Sequence, residues 1–179
     1  MFSTIASVRF HFLESHYGFQ RIPVDDRCVL YLKGDSNIRF SHSRFDEVSM
    51  TIGQTGHGTN FSPDLLVALI DPAKGAAIKE QIVSRPDRID LALAEFEAIL
   101  RTYGRRVLDS NLTVYTELKA LSDAQSGDHA AQAIRYRAEE AFAAKDFRSA
   151  LGDYRSLGGR RTALDSKRLE MCERHIREG

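Results

Sequence analysis

The sequence predicts an α+β fold: an N-terminal helix with a four-stranded antiparallel meander sheet, followed by an all-helical C-terminal part. Three observations predict it. Apolar residues alternate in short runs up to about Gly53, and from about Ser62 they recur at helical spacing. Period 2 puts side chains on two faces of a sheet, whereas period 3.6 gathers them on one stripe of a helix. The change of rhythm coincides with the glycine-rich stretch Gly53–Asn60. The expected organisation is therefore a helix-plus-sheet unit at 1–60 and a helical array at 61–179 packed on it.

The elements follow in order. Phe2, Ile5, Ala6, Phe12 and Leu13 share one broad helix face, and Tyr17-Gly18 ends that helix through a left-handed glycine. Phe19–Val24 is the first strand, and Pro23 marks it as an edge or a strand end. Arg27–Lys33 is the most apolar run and the central strand. Gly34–Asn37 turns the chain. Ile38–His42 and Glu47–Ile52 each alternate one apolar with one polar face, as a helix-covered antiparallel sheet requires.

In the second part, Ser62 as N-cap, Pro63 and Asp64 begin a helix that Asp71-Pro72 stops. Ala73–Val83 reads as a short helix broken by Gly75, and Ser84–Asp87 as a boundary. Asp87–Tyr103 has the clearest stripe: Ile89, Leu93, Phe96, Leu100 and Tyr103, widened by Ala92 and Ile99. Gly104 ends it, Asp109–Asn111 breaks the chain again, and Thr113 caps a helix carrying Val114, Leu118 and Leu121. Ala124–Asp128, with Ser126-Gly127, reads as polar and loose.

Composition bounds the function. Hydrophobic residues make up 42% and charged residues 28%, too apolar for general disorder. Lys+Arg and Asp+Glu are both 25, and residues 1–62 hold six of each, so neither part carries the basic excess of a nucleic-acid binder. No run approaches the length that spans a bilayer. The start lacks a basic n-region, and Arg9, His11 and Glu14 interrupt its apolar residues, so no signal peptide and a cytoplasmic location are expected. Cys28 and Cys172 read as buried thiols.

Catalytic and metal motifs are sparse. There is no HExxH or GxSxG, and Asp25-Asp26, Asp46-Glu47 and Glu139-Glu140 read as turn formers or solvated faces. His42, beside Asp46 and Glu47, belongs to a charged turn. Cys172 and His175 read as a core cysteine beside an edge histidine, with a metal-ligand pair as the alternative. The loop Gly53–Asn60 lacks a GK[ST] and does not open directly onto a helix, so it reads as a mobile connector rather than a phosphate cradle. Arg155, Arg160, Arg161, Lys167, Arg168, Arg174 and Arg177 suit an acidic protein partner.

Small and bulky residues fall at Ile134, Ala138, Ala141, Phe147, Ala150, Tyr154 and Leu157. Over Ile134–Gly159 this resembles one degenerate tetratricopeptide unit. Ala138 and Ala150 stand at the small crossing positions, Lys145-Asp146-Phe147 where the family has a glycine and an aromatic, and Tyr154 at the later aromatic. The resemblance implies a helix hairpin, with Thr162–Arg177 as a following or capping helix. Phe12-Leu13, Tyr17-Gly18-Phe19, Val48 to Gly53 and Tyr103-Gly104 with Val107-Leu108 give a second resemblance, to small bacterial proteins that include immunity-like partners of secreted toxins. The six lysines against 19 arginines suit a GC-rich bacterial source.

The expected function is thus a non-enzymatic protein–protein interaction module of a bacterial cytoplasmic protein, with an unidentified protein partner, no cofactor and no catalytic or metal residues. Immunity-like inhibition of a toxin is its most concrete form. The alternative is a small-ligand binder or enzyme using Gly53–Asn60 with Arg39, His42 and Arg44.

Overall fold

The computed structural model describes residues 2–44, 46–78, 81–82 and 86–178. The chain divides into two compact units, Met1–Ser122 and Asp123–Gly179. The division expected at residue 60 is displaced because the helices between 61 and 122 share one core with the sheet.

The first unit begins with α1 (Phe2–Arg9) and α2 (His11–Ser15). A single N-terminal helix was the expectation; Phe10, at φ −94° and ψ 15°, interrupts it. The Phe10 ring stacks on Phe40 at 3.8 Å, a core contact that helical periodicity alone does not reveal. Gly18, at φ 72°, ends α2 as expected: its N–H bonds Glu14 O, and the next N–H, of Phe19, bonds Leu13 O.

A meander of β1 (Gln20–Asp25), β2 (Cys28–Lys33), β3 (Ser36–His42) and β4 (Glu47–Gln54) follows, every pair antiparallel. Two short strands, β5 (Asn60–Phe61) and β6 (Gln81–Ile82), both pair with β4. The inner face carries Val29, Tyr31, Ile38, Phe40, Val48, Met50 and Ile52, all buried against the helices. Gly53–Asn60, expected as a connector, is a hairpin in which Gly53 pairs with Asn60, with Gly56 and Gly58 in the left-handed region. A Cβ on Gly53 would strike Asn60 Oδ1 and Thr59 O.

Next come α3 (Pro63–Ala68), α4 (Pro72–Ala77), α5 (Pro86–Tyr103) and α6 (Arg105–Leu108). The expected α5 stripe faces the core through Ile89, Ala92, Leu93, Phe96 and Leu100. Gly75 does not break α4. It is buried within the helix, where a Cβ would meet Ala68 backbone atoms at 2.7 and 2.8 Å, so the glycine lets α4 lie close on α3. The helix expected at Ala73–Val83 ends at Ala77, and Gln81–Ile82 is strand. Lys79, Glu80, Val83 and the expected boundary residues Ser84 and Arg85 lie outside the described residues.

Helix α7 (Thr113–Ala143) starts in the first unit and ends in the second. It is continuous through Ala124–Asp128, which reads as polar and loose in sequence. Its start is secured by Asn111, whose side-chain oxygen accepts from the Thr113 N–H, rather than by Thr113 itself.

In the second unit, 144–146 turns the chain from α7 into α8 (Phe147–Ser156), with Lys145 at φ 63°. Asp146 caps α8 by accepting the Ser149 N–H at 3.2 Å. A short 3-10 turn (Gly158–Arg160) leads to α9 (Ala163–Glu178). Ala131 and Ala138, Ala150, Tyr154 and Leu157, and Leu169 and Cys172 form this unit's core. No helix among the described residues is long and apolar enough to cross a membrane.

Candidate functional site

Among the described residues of the first unit, β1 is the least covered element. Five of its six residues are exposed, the exception being Ile22. Among the described residues it pairs with β2 on one side and with no strand on the other. Which main-chain groups it leaves open follows from register. The Arg27 carbonyl accepts from the His42 N–H at 2.8 Å, so odd-numbered residues along β2 turn their main-chain groups to β3 and even-numbered ones to β1. Leu30 and Leu32 are the partners of Ile22 and Gln20. Gln20 and Ile22 therefore bond β2, whereas Arg21 and Pro23 face outward. Proline has no N–H, so Pro23 costs the sheet nothing there. The free edge offers the Arg21 N–H, the Arg21 carbonyl and the Pro23 carbonyl.

A groove of about 630 Å³ runs between this strand and α1–α2. The Ser3 N–H bonds the Asp26 carbonyl, and Arg21 Nε lies 3.8 Å from Glu14 Oε2, so the helices run opposite to β1. One end is lined by Ser3, Thr4, Val8 and Pro23 over Val29. At the other, Ser7, His11, Glu14 and Arg21 meet, with His11 Nδ1 3.7 Å from Glu14 Oε2. Ser7 Oγ donates to Ser3 O at 2.6 Å. Beneath this end the Tyr31 hydroxyl is buried, without a hydrogen-bond partner among the described residues. Burial, reinforced by Glu14, raises its pKa and keeps it protonated.

The outer face of the sheet shows a second pattern. Strand alternation places Ile22, Cys28, Leu30 and Leu32 on it, all half-buried, and none joins the core cluster. Asn37, Arg39, Ser41, Ser49 and Thr51 continue the same face across β3 and β4. Ser41 and Ser49 hydroxyls bond each other at 2.8 Å. Burial raises the Cys28 pKa, so the thiol stays neutral.

The groups singled out in the sequence are dispersed. His42 lies on the inner face, stacked on Phe2 at 5.7 Å, with Asp46 Oδ1 3.6 Å from its Nε2. Arg39 is exposed on the opposite face. His57 is exposed in the β4–β5 hairpin, beyond Gly53, whereas His42 pairs with Val48 at the far end of β4. The geometry does not bring them together. Cys172 faces the core of the second unit, and His175 stacks on Phe147 at 4.3 Å. Among the C-terminal arginines, Arg155 pairs with Glu173, Arg160 with Asp128 and Arg168 with Glu139, so much of the basic character is matched locally. Among the described residues, no three His, Cys, Asp or Glu side chains gather as metal ligands would.

The groove has no sequence signature. Its signals are Pro23, which marks an edge strand, and the hydroxyls at 3, 4 and 7 on one flank of a helix.

The chain matches no protein-family model, no curated protein and no solved structure.

Proposed function

We propose that this chain is a non-enzymatic protein-interaction module of a bacterial cytoplasmic protein, with immunity-like inhibition of a toxin as its most concrete form. One observation carries the reading: β1 and β2 hold Ile22, Leu30 and Leu32 on a sheet face that the first unit's core leaves aside, beside amide and hydroxyl groups on β3 and β4. An apolar centre with a polar rim is the usual anatomy of a protein interface. Val24, half exposed beside this face, extends the apolar surface. The alternative built on Gly53–Asn60 lacks such support, since His42 and His57 stand at opposite ends of β4.

A photo-reactive residue at position 22, used with the full chain in bacterial lysate, tests the reading. It is expected to trap one protein, and Leu30→Lys on the same face is expected to abolish the trapping with the far-UV circular dichroism unchanged. Crosslinks confined to small molecules, or trapping that survives Leu30→Lys, would count against it.

A further inference from the structure

We infer that the free edge of β1, together with the groove beside it, takes an extended peptide segment of a partner protein as an added strand. The inference rests on the interaction-module reading and names the form of the partner. Main-chain recognition is what this edge can supply: Arg21 presents a donor and an acceptor, and Pro23 an acceptor. An incoming strand that places its own N–H opposite Pro23 makes three main-chain bonds, and an extended segment satisfies that geometry. A strand exposed along both faces as well as its edge is where an added strand buries the most new surface.

Alternation then fixes the side chains of the guest. A residue opposite Arg21 projects into the charged end of the groove, where a hydrogen-bonding side chain meets Ser7, His11 and Glu14. One opposite Pro23 projects onto Val8 and Val29, which favours a small apolar side chain. The residue between them points to the outer face, against Ile22 and Leu30, and is apolar too. The motif is therefore polar, apolar, apolar along an extended segment, in either chain direction.

The test pans the full chain against a phage-displayed library of random linear peptides and measures the recovered peptides by calorimetry. Arg21→Pro deletes the outward donor at position 21, on an edge where Pro23 already shows proline to be accommodated. It is expected to weaken binding about tenfold, the loss of a main-chain bond and its register. Arg21→Ala removes the same side chain but keeps the N–H, so it is the reference for Arg21→Pro and is expected to bind more tightly than Arg21→Pro. Pro23→Ala adds a donor and should tighten binding. Hydrogen exchange should show the Arg21 amide protected in the complex. If Arg21→Pro loses its circular dichroism, that protection decides alone: its presence supports the added strand and its absence overturns it. Recovery of no peptide overturns the inference, as does equal binding to Arg21→Pro and the parent, or equal loss in Arg21→Pro and Arg21→Ala. Trapping that Leu30→Lys abolishes but Arg21→Pro leaves intact would retain the module and discard the strand.

Discussion

Among the described residues, the largest fully buried side chains include Phe10, Tyr31, Phe40, Ile38, Met50 and Leu93 in the first unit, and Tyr154 alone in the second. The first unit closes a sheet face under helices and stacks ring on ring, as Phe10 does on Phe40. The second packs Ala131, Ala138 and Ala150 between helices that approach closely. Small units have little apolar area to bury, so other contacts must hold them. Here those contacts are polar. Asp165 is 1% exposed, accepts from the Thr162 N–H at 2.8 Å and from Arg135 Nε at 2.9 Å, and its own N–H bonds Thr162 Oγ1. One chain thus uses two stabilising currents: buried apolar area in one unit, capped and paired polar groups in the other.

The largest expected effect breaks the first current. Phe40→Ala removes a ring with no exposed surface and should cost about 3–5 kcal/mol in urea denaturation. Asp165→Asn breaks the second, weakening the charge-assisted bonds from Arg135 and Thr162, and should cost about 1.5–3 kcal/mol, read from hydrogen exchange in α8 and α9. Its pH dependence follows from sign. Burial pushes the Asp165 carboxyl up, but hydrogen bonds from Thr162 and Arg135 more than reverse this and hold it below its ordinary 3.8. Its stabilisation is therefore complete above that value and is lost as pH falls through the lower folded-state value. The variant should show a flatter acid limb, and an unchanged limb would remove Asp165 from the account.

Two glycines sharpen the contrast. Gly75→Ala presses a methyl group against Ala68 backbone, which cannot swing aside, and should destabilise the first unit by about 1–3 kcal/mol. For Gly127→Ala, the atoms nearest the added Cβ belong to the guanidinium end of Arg160, a flexible group whose pairing with Asp128 at 3.7 Å is exposed. The gain in helix propensity should win, raising stability by about 0.5–1 kcal/mol in thermal denaturation.

Gly127 also shows where the sequence misleads. Ser126-Gly127 reads as a break, yet one glycine costs a long helix only about 1 kcal/mol, and α7 continues through it. Gly75 reads as a breaker for the same reason and is a packing contact. The four long strands and α5 are legible because each repeats its period several times between turn residues. A strand of two residues, as at Asn60–Phe61 or Gln81–Ile82, has no period to read, and only pairing with β4 defines it. The groove was out of reach because its walls come from 3–14 and 21–29, segments joined by a helix end that turns the chain back. Pro23 is its clearest signal, since the missing donor is a property of the residue itself.

That missing donor also governs how copies of the chain meet. Along residues 20–23 the outward donor is the Arg21 N–H, because Gln20 and Ile22 turn theirs inward and Pro23 has none, and the Phe19 N–H just before them is held by Leu13 O. Two such edges brought side by side can trade no more than one bond apiece, too few to seed a growing ribbon. Concentrated solutions should stay clear and free of fibrils, a safeguard that rests on one pyrrolidine ring.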